Sequence, residues 1–212
     1  PIMFHPANPE VAWCATERVY RMEGAPFGIW EPVSDDLTLG VSPGLSFRVV
    51  TSLSGSPFNP DWVAAGTSDG QLWYTVNAGE DWSLMIANLP PRQITDIAFD
   101  PFHPDSMTVT LNGYKDAVYT PHVLRAGIGE AWQDVTGDLP DHPANDWRAL
   151  DDSTWVLATD YGVYHTENWG HHWDRVGDMP YIPVFELDVD TAASQLVAAT
   201  CARSIQTFPL DS

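Results

Sequence analysis

At 212 residues and 23.5 kDa the chain is long enough to bury a sizeable core, as one large domain or two small ones. Hydrophobic residues make up 44%, which argues against a disordered chain. The 29 acids outnumber 9 bases for a net charge of −20, which argues against a binder of nucleic-acid phosphates. No apolar run approaches the ~20 residues that span a bilayer. No basic-then-apolar leader is seen and the sequence opens at Pro1, so a mature product or an excised piece is expected.

Taken in chain order, the apolar runs are short and punctuated by turn residues. A first, worn unit over about 1–40 runs from an inner-strand pattern at Ile2-Met3-Phe4 through Val11-Ala12-Trp13-Cys14 and Val19-Tyr20 to Trp30. The second, about 45–91, holds Trp62-Val63-Ala64-Ala65-Gly66, an Asp69-Gly70 turn, Leu72-Trp73-Tyr74 and a turn closing on Trp82. The third, about 93–141, runs from Ile94 through Ser106 and His122-Val123-Leu124 to Trp132. The fourth, about 145–181, repeats the second with Trp155, Asp160, Gly162, Val163-Tyr164 and Trp173. A partial fifth, about 182–212, has runs at 184–189, 196–200 and 204–208 and lacks a fourth, outermost strand.

The closing tryptophans at 30, 82, 132 and 173 stand 52, 50 and 41 residues apart. Four short strands recurring at 40–50 residues mark propeller blades, and no window carries a helical apolar stripe free of Gly and Pro. The expected fold is therefore all-β: a β-propeller of four-stranded antiparallel blades, four full and one partial, forming part of a larger ring or a ring closed imperfectly.

Two turns fit Ser/Thr-x-Asp/Asn-x-Gly-x-x-Trp: Thr75, Asn77, Gly79, Trp82, and Thr166, Asn168, Gly170, Trp173. Asn should accept backbone N–H bonds within the turn, Gly should adopt a backbone angle others resist, and Trp should bury a large face between sheets. These turns resemble Asp-boxes, the BNR repeats of sialidases, sortilin-type domains and many secreted bacterial propellers. The closing stretch from Leu196 to Leu210, and Leu111-Asn112-Gly113-Tyr114 followed by Pro121-His122-Val123, are also similar to the sortilin-like and glycosyl-hydrolase-like bacterial group. The resemblance spans nearly everything from Trp62 onward and implies a secreted or cell-surface location. It fixes fold more than function, because the motif occurs in enzymes, receptors and assembly factors.

Three functions are therefore weighed. The first is an extracellular binding or scaffold propeller without chemistry of its own, with a glycan or a protein or peptide as partner, or further blades of a parent chain. The second is a glycoside hydrolase acting at the propeller axis. A sialidase needs three converging arginines, and Arg48, Arg92 and Arg148 lie near successive inner-strand starts, although pairing with acids accounts for them. A two-carboxylate enzyme needs a pair ~6.5–9.5 Å apart, for which Asp96 and Asp146 are only guesses. The third, a sortilin-like peptide receptor, lacks its Cys-rich modules. Asp69 and Asp160 recur in one turn and read as structural. His171 and His172 point to opposite faces and do not chelate together. No cofactor or metal is implied. Cys14 and Cys201 read as free core thiols or, if the chain ends are neighbours, a disulfide.

The element that breaks the repeat is the lengthened hairpin at 113–122, which carries the only Lys. Tyr114, Lys115, Tyr119 and His122 are its candidate binding residues, since Tyr joins contact area to a polar tip. The alternative is a hairpin that merely shields a sheet edge.

Overall fold

The computed structural model describes residues 1–40, 48–113 and 121–210. Every regular element among them is a strand, and no helix occurs. The first sheet comprises β1 (Ile2–His5), β2 (Asn8–Ala15), β3 (Val19–Glu23) and β4 (Glu31–Pro32). The second comprises β5 (Val50–Gly55), β6 (Val63–Thr67), β7 (Leu72–Thr75) and β8 (Ser83–Leu84). The third comprises β9 (Ile94–Phe99), β10 (Ser106–Leu111), β11 (Val123–Gly127) and β12 (Gln133–Asp134). The fourth comprises β13 (Ala144–Ala149), β14 (Trp155–Thr159), β15 (Gly162–Thr166) and β16 (Asp174–Arg175). The fifth has three strands among the described residues: β17 (Val184–Asp190), β18 (Gln195–Thr200) and β19 (Ser204–Pro209). In each sheet the strands neighbour one another in chain order, the meander of a propeller blade.

The chain forms two compact units, Pro1–Val109 with Arg125–Gln133, and Thr110–Leu124 with Asp134–Ser212. In the first, Val11, Trp13 and Val19 of blade one pack with Val50, Val63 and Ala65 of blade two. In the second, Val156, Ala158 and Val163 of blade four pack with Val184, Leu187, Leu196 and Ala198 of blade five. Central strands are buried on both faces, so β6 and β14 read as continuous apolar or small runs rather than alternating ones. Small residues set the blade spacing: a Cβ on Gly66 would lie 2.5 Å from Ile94 Cγ2 of the next blade.

Side chains on the innermost strands tie one blade to the next. A bulge falls between Val50 and Ser52 in β5 and between Ala144 and Asp146 in β13. At the bulge Thr51 Oγ1 donates to Ile94 O at 2.6 Å, and Asn145 Nδ2 donates to Val184 O at 2.8 Å. One residue on, Ser52 Oγ accepts the Ile97 N–H at 3.0 Å and Asp146 Oδ2 accepts the Leu187 N–H at 2.6 Å. The innermost strand of a blade has one edge without a ladder neighbour, and its buried amides need another acceptor. The preceding blade supplies it.

The two Thr-x-Asn-x-Gly-x-x-Trp turns share one bonding scheme. Thr75 Oγ1 bonds Asn77 Oδ1 at 2.8 Å and accepts the Gly79 N–H at 3.0 Å, while Asn77 Oδ1 accepts the Asp81 N–H at 3.0 Å. Thr166, Asn168, Gly170 and His172 repeat it at 2.9, 3.1 and 2.9 Å. The glycines sit at φ +92° and +80°. A Cβ on Gly79 would meet Val33 Cβ at 2.9 Å, and one on Gly170 would run into the carbonyl oxygen of Val135, so each turn presses on the preceding blade. The indoles follow: Trp82 Nε1 donates to Val33 O at 2.7 Å and Trp132 Nε1 to Met85 O at 3.1 Å. Trp132 and Trp173 are buried, whereas Trp82 is only half-buried because it sits at the rim of its cluster. The two cysteines are free, but neither is a core thiol: Cys14 is half-buried and Cys201 exposed.

Asp146→Ala leaves the buried Leu187 amide without its acceptor and removes the carboxylate that pairs with Arg148, whose bond to Trp147 O remains, and should cost about 2–4 kcal/mol in urea melts. Ser52→Ala, a neutral counterpart, should cost about 1 kcal/mol. Equal losses would contradict this ranking. A second test compares indoles. Trp173 Nε1 is buried with no partner among the described residues, whereas Trp82 Nε1 is bonded. Trp82→Phe should therefore destabilise by about 1 kcal/mol more than Trp173→Phe, read from the same melts.

Candidate functional site

Antiparallel pairing brings three connections to one end of the fourth sheet: the segment before β13, the β14–β15 turn, and the segment between β16 and β17. Each contributes an aromatic ring. His142 stacks on Tyr161, with centroids 3.9 Å apart and planes 18° off parallel. Tyr161 meets Tyr181 edge-on at 6.3 Å, and the Arg175 guanidinium lies 4.2 Å from the Tyr181 ring centre. Arg175 is held from below by the carbonyls of Tyr161 and Met179. Gly162, at φ +112°, leaves it room, since a Cβ there would lie 3.2 Å from its Nε. Tyr181 is 71% exposed, and His142 and Tyr161 are half-buried. The result is a row of aromatic rings at one end of the fourth sheet, partly open to solvent, with Asp141, Asp160 and Asp178 in the same three connections.

The carboxylates nearest the inner strands are committed to structure. Asp160 accepts from Asn145 Nδ2 at 2.9 Å, and Asp69 accepts from Thr67 Oγ1 at 2.5 Å and from the Leu39 N–H at 2.8 Å. Asp146 holds Arg148 and the amides of Trp147 and Leu187, and Asp96 accepts from Ser52 Oγ at 2.8 Å. Asp100, fully buried, accepts the amides of Phe102 and His103, the His103 ring and Arg125. Arg48 lies 3.5 Å from Asp69. Arg48 and Arg148 thus each pair with an acid of their own blade. Among the described residues no group of three His, Cys, Asp or Glu side chains is placed to hold a metal, and no helix is long and apolar enough to cross a membrane.

Of the residues expected on the lengthened hairpin, Tyr114, Lys115 and Tyr119 lie outside the described residues. His122 has no accessible surface and so offers a partner no contact area. Its Nε2 donates to Asp141 Oδ1 at 2.8 Å, and its backbone N–H to Thr136 Oγ1 at 2.9 Å. His122 stands immediately before β11, with its ring turned inward. Its effect is to fix Asp141 beside His142.

His172 is exposed and pairs with two acids, its Nε2 lying 3.4 Å from Asp174 Oδ2, rather than joining His171 in a chelating pair. Its Nδ1 donates to Asp138 Oδ2 at 2.5 Å, and Asp138 Oδ1 accepts the Trp173 N–H at 2.9 Å. The bond to Asp138 raises the His172 pKa above its ordinary value, and the same bond lowers that of Asp138. Each partner thus favours the charged form of the other, and this clasp ties the blade-four turn to the exit of blade three.

Sequence reasoning missed the aromatic row, because His142, Tyr161 and Tyr181 are separated by about one strand pair each and belong to no motif. The available signal was a ring-bearing residue at each of three turn positions around one blade. No family model matches the chain, and no curated protein matches it. Solved structures do. An ancestral GH74 enzyme superposes with a TM-score of 0.72 at 20% identity, covering 94% of this chain and 27% of that one. The GH74 xyloglucanase of Xanthomonas campestris gives 0.69 at 13% identity, over 94% and 33%. The Cps50 (Swd1) β-propeller domain of Myceliophteria thermophila gives 0.67 at 12% identity, over 100% and 66%. The chain thus spans about a quarter to a third of the two enzymes, and what these likenesses establish is the fold: a β-propeller.

Proposed function

We propose that this chain is an extracellular glycan-binding propeller of the Asp-box, sortilin-like kind, with no chemistry of its own, and that the ligand lies across His142, Tyr161 and Tyr181. The observation carrying this reading is the row of aromatic rings, partly open to solvent, at one end of the fourth sheet. Aromatic faces offer contact area at small entropic cost, and a polar tip beside each ring serves hydroxyl groups. Asp141, Asp160 and Asp178 around the row, on a chain of charge −20, favour a neutral polysaccharide over a sulfated or uronic one. The inner-strand acids support binding over hydrolysis, because Asp96 and Asp146 already serve neighbouring backbone or side chains.

A glycoside hydrolase is the second reading, favoured by the fold shared with a xyloglucanase. One experiment separates the two. Soluble neutral polysaccharides, among them xyloglucan and a mixed-linkage β-glucan, are titrated calorimetrically and then assayed for new reducing ends. Binding without cleavage is expected, with a Tyr161→Ala, Tyr181→Ala double variant at least tenfold weaker and unchanged in thermal stability to within a few degrees. Undiminished binding by the double variant would remove the ligand from this face. Release of reducing ends would favour the hydrolase.

A further inference from the structure

The connections between the first and second strands of blades two and three carry one pattern, Pro-Phe-x-Pro-Asp: Pro57-Phe58-Asn59-Pro60-Asp61 and Pro101-Phe102-His103-Pro104-Asp105. The two turns are built alike. The residue before the first Pro accepts two amides of the turn. Ser56 Oγ takes the Phe58 N–H at 3.2 Å and the Asn59 N–H at 3.3 Å, and Asp100 Oδ1 takes the Phe102 N–H at 2.8 Å and the His103 N–H at 3.2 Å. The carbonyl of the closing Asp accepts from the outer hairpin of the same blade, Ala78 N–H to Asp61 O at 2.9 Å and Ile128 N–H to Asp105 O at 2.8 Å. The turns leave neighbouring points, because the Phe99 N–H donates to Ser54 Oγ at 3.0 Å just before both begin.

None of this scheme needs an aromatic ring. In blade one the turn Pro6-Ala7-Asn8-Pro9-Glu10 has Ala where the others have Phe, and the Ala7 N–H still donates to the residue before the Pro, His5 Nδ1, at 3.2 Å. The matching connections of blades four and five, 150–154 and 191–194, carry no aromatic residue. Yet Phe58 is 50% and Phe102 45% exposed, and Val76 is exposed in the turn that bonds Asp61 O. Single exposed apolar side chains are ordinary, but two Phe at one position of adjoining blades, where Ala suffices, are surplus to folding. Their surroundings are acidic. Asp61, Glu80, Asp81 and Asp105 are exposed there, and the β5–β6, β7–β8, β9–β10 and β11–β12 connections hold no Lys or Arg. His103 and Arg125 of blade three both bond the buried Asp100.

We propose that Phe58 and Phe102 form a ledge that docks a segment of another protein carrying apolar side chains beside Lys or Arg. The apolar side chains of that segment cover the two rings and Val76, and its cations face Asp61, Asp81 and Asp105. Charge complementarity selects this partner: on a chain of charge −20 the ledge repels acidic segments and draws basic ones. A peptide suits it better than a sugar. Phe has no polar tip, and the turn's own side-chain oxygens, Ser56 Oγ and Asn59 Oδ1, already accept backbone amides. The turns hold their Phe backbones in place before contact, which reduces the entropic loss on binding. No residue of the aromatic row takes part, and the proposal does not depend on the glycan reading.

The probe is a random dodecapeptide library displayed on phage and panned on the full chain, with a Phe58→Ala, Phe102→Ala double variant as counter-target. Ala7 fills the same place in blade one, so this variant should melt within a few degrees of the parent. Enriched sequences should join Leu, Ile, Phe or Trp to Lys or Arg. A synthetic peptide of the most enriched sequence should bind the double variant about tenfold more weakly or worse. It should bind an Asp61→Asn, Asp105→Asn variant several-fold more weakly, and its affinity for the parent should fall as salt rises from about 50 mM to about 500 mM. The Tyr161→Ala, Tyr181→Ala variant should bind it as the parent does. The proposal fails if no sequence is enriched, if the enriched ones lack cations, or if the Phe variant binds them undiminished. It fails equally if the Phe variant loses a neutral polysaccharide that the parent binds, which would mark a sugar platform. Self-association of the parent that the Phe variant abolishes would also overturn it, marking a contact between copies.

Discussion

Burial of one blade against the next is the constraint on which everything else rests. A four-stranded blade with apolar residues on both faces cannot leave either in water, so no blade is stable alone. Two kinds of contact answer this need, and they differ in weight. An indole of ~200 Å² buried between sheets contributes roughly 5 kcal/mol at the usual coefficient, whereas a single bond such as Thr51 to Ile94 O contributes about 1 kcal/mol. Packing therefore supplies the stability. The inner-strand bonds supply register, because a strand slipped by one residue would leave the Ile97 or Leu187 amide buried and unpaired.

That division explains where side chains are free to vary. Strand interiors are committed to packing, and the Asn-Gly-Trp turns to pressing on a neighbour. What remains are the connections at one end of each sheet, where backbone is fixed at both sides and side chains face solvent. In blade four these positions hold His142, Tyr161 and Tyr181. Asp141 is bonded there to the buried His122, and Arg175 is held by two carbonyls, so the groups beside the rings are already positioned by the fold. A ligand meeting such a surface loses little free energy to ordering it.

Much of the fold was legible because its strongest determinants are local and repeated. Trp82 and Trp173 at matching distances from Asn77 and Asn168 announce the turn, and the turn announces the blade. The three strands of the fifth blade fall within two residues of the expected runs for the same reason. What could not be read is what joins distant segments. Thr51-Ser52 and Asn145-Asp146 look like unrelated polar pairs until their shared bulge is seen. His122 reads as the end of a polar loop, and it does stand one residue before β11; its burial is what could not be read, since nothing in its neighbours shows that Asp141 will meet it. The aromatic row requires three connections to converge, which depends on sheet closure rather than on any one segment.

Stacked repeats also demand an account of their outward faces. In blade five Val184 and Leu187 are buried and Val189 is half-buried, while Glu186, Asp188 and Asp190 are exposed together with Phe185, so acids dominate the exposed positions of this strand. Blade one is built differently. The Ala15 N–H bonds Pro1 O as Cys201 bonds Pro183 O, which places Ile2 where blade five has the buried Val184 and Phe4 where it has the buried Leu187. Yet Ile2 is 71% and Phe4 58% exposed. Val50 and Ile94, at the same position in blades two and three, are buried, so the sequence has chosen side chains for burial at a place where they meet solvent. Single exposed apolar residues are ordinary, but two adjacent ones at positions buried elsewhere in the repeat are not. The packing rule that buries Val50 against blade one thus leaves Ile2 and Phe4 on blade one as the exposed counterparts of residues that blades two, three and five bury.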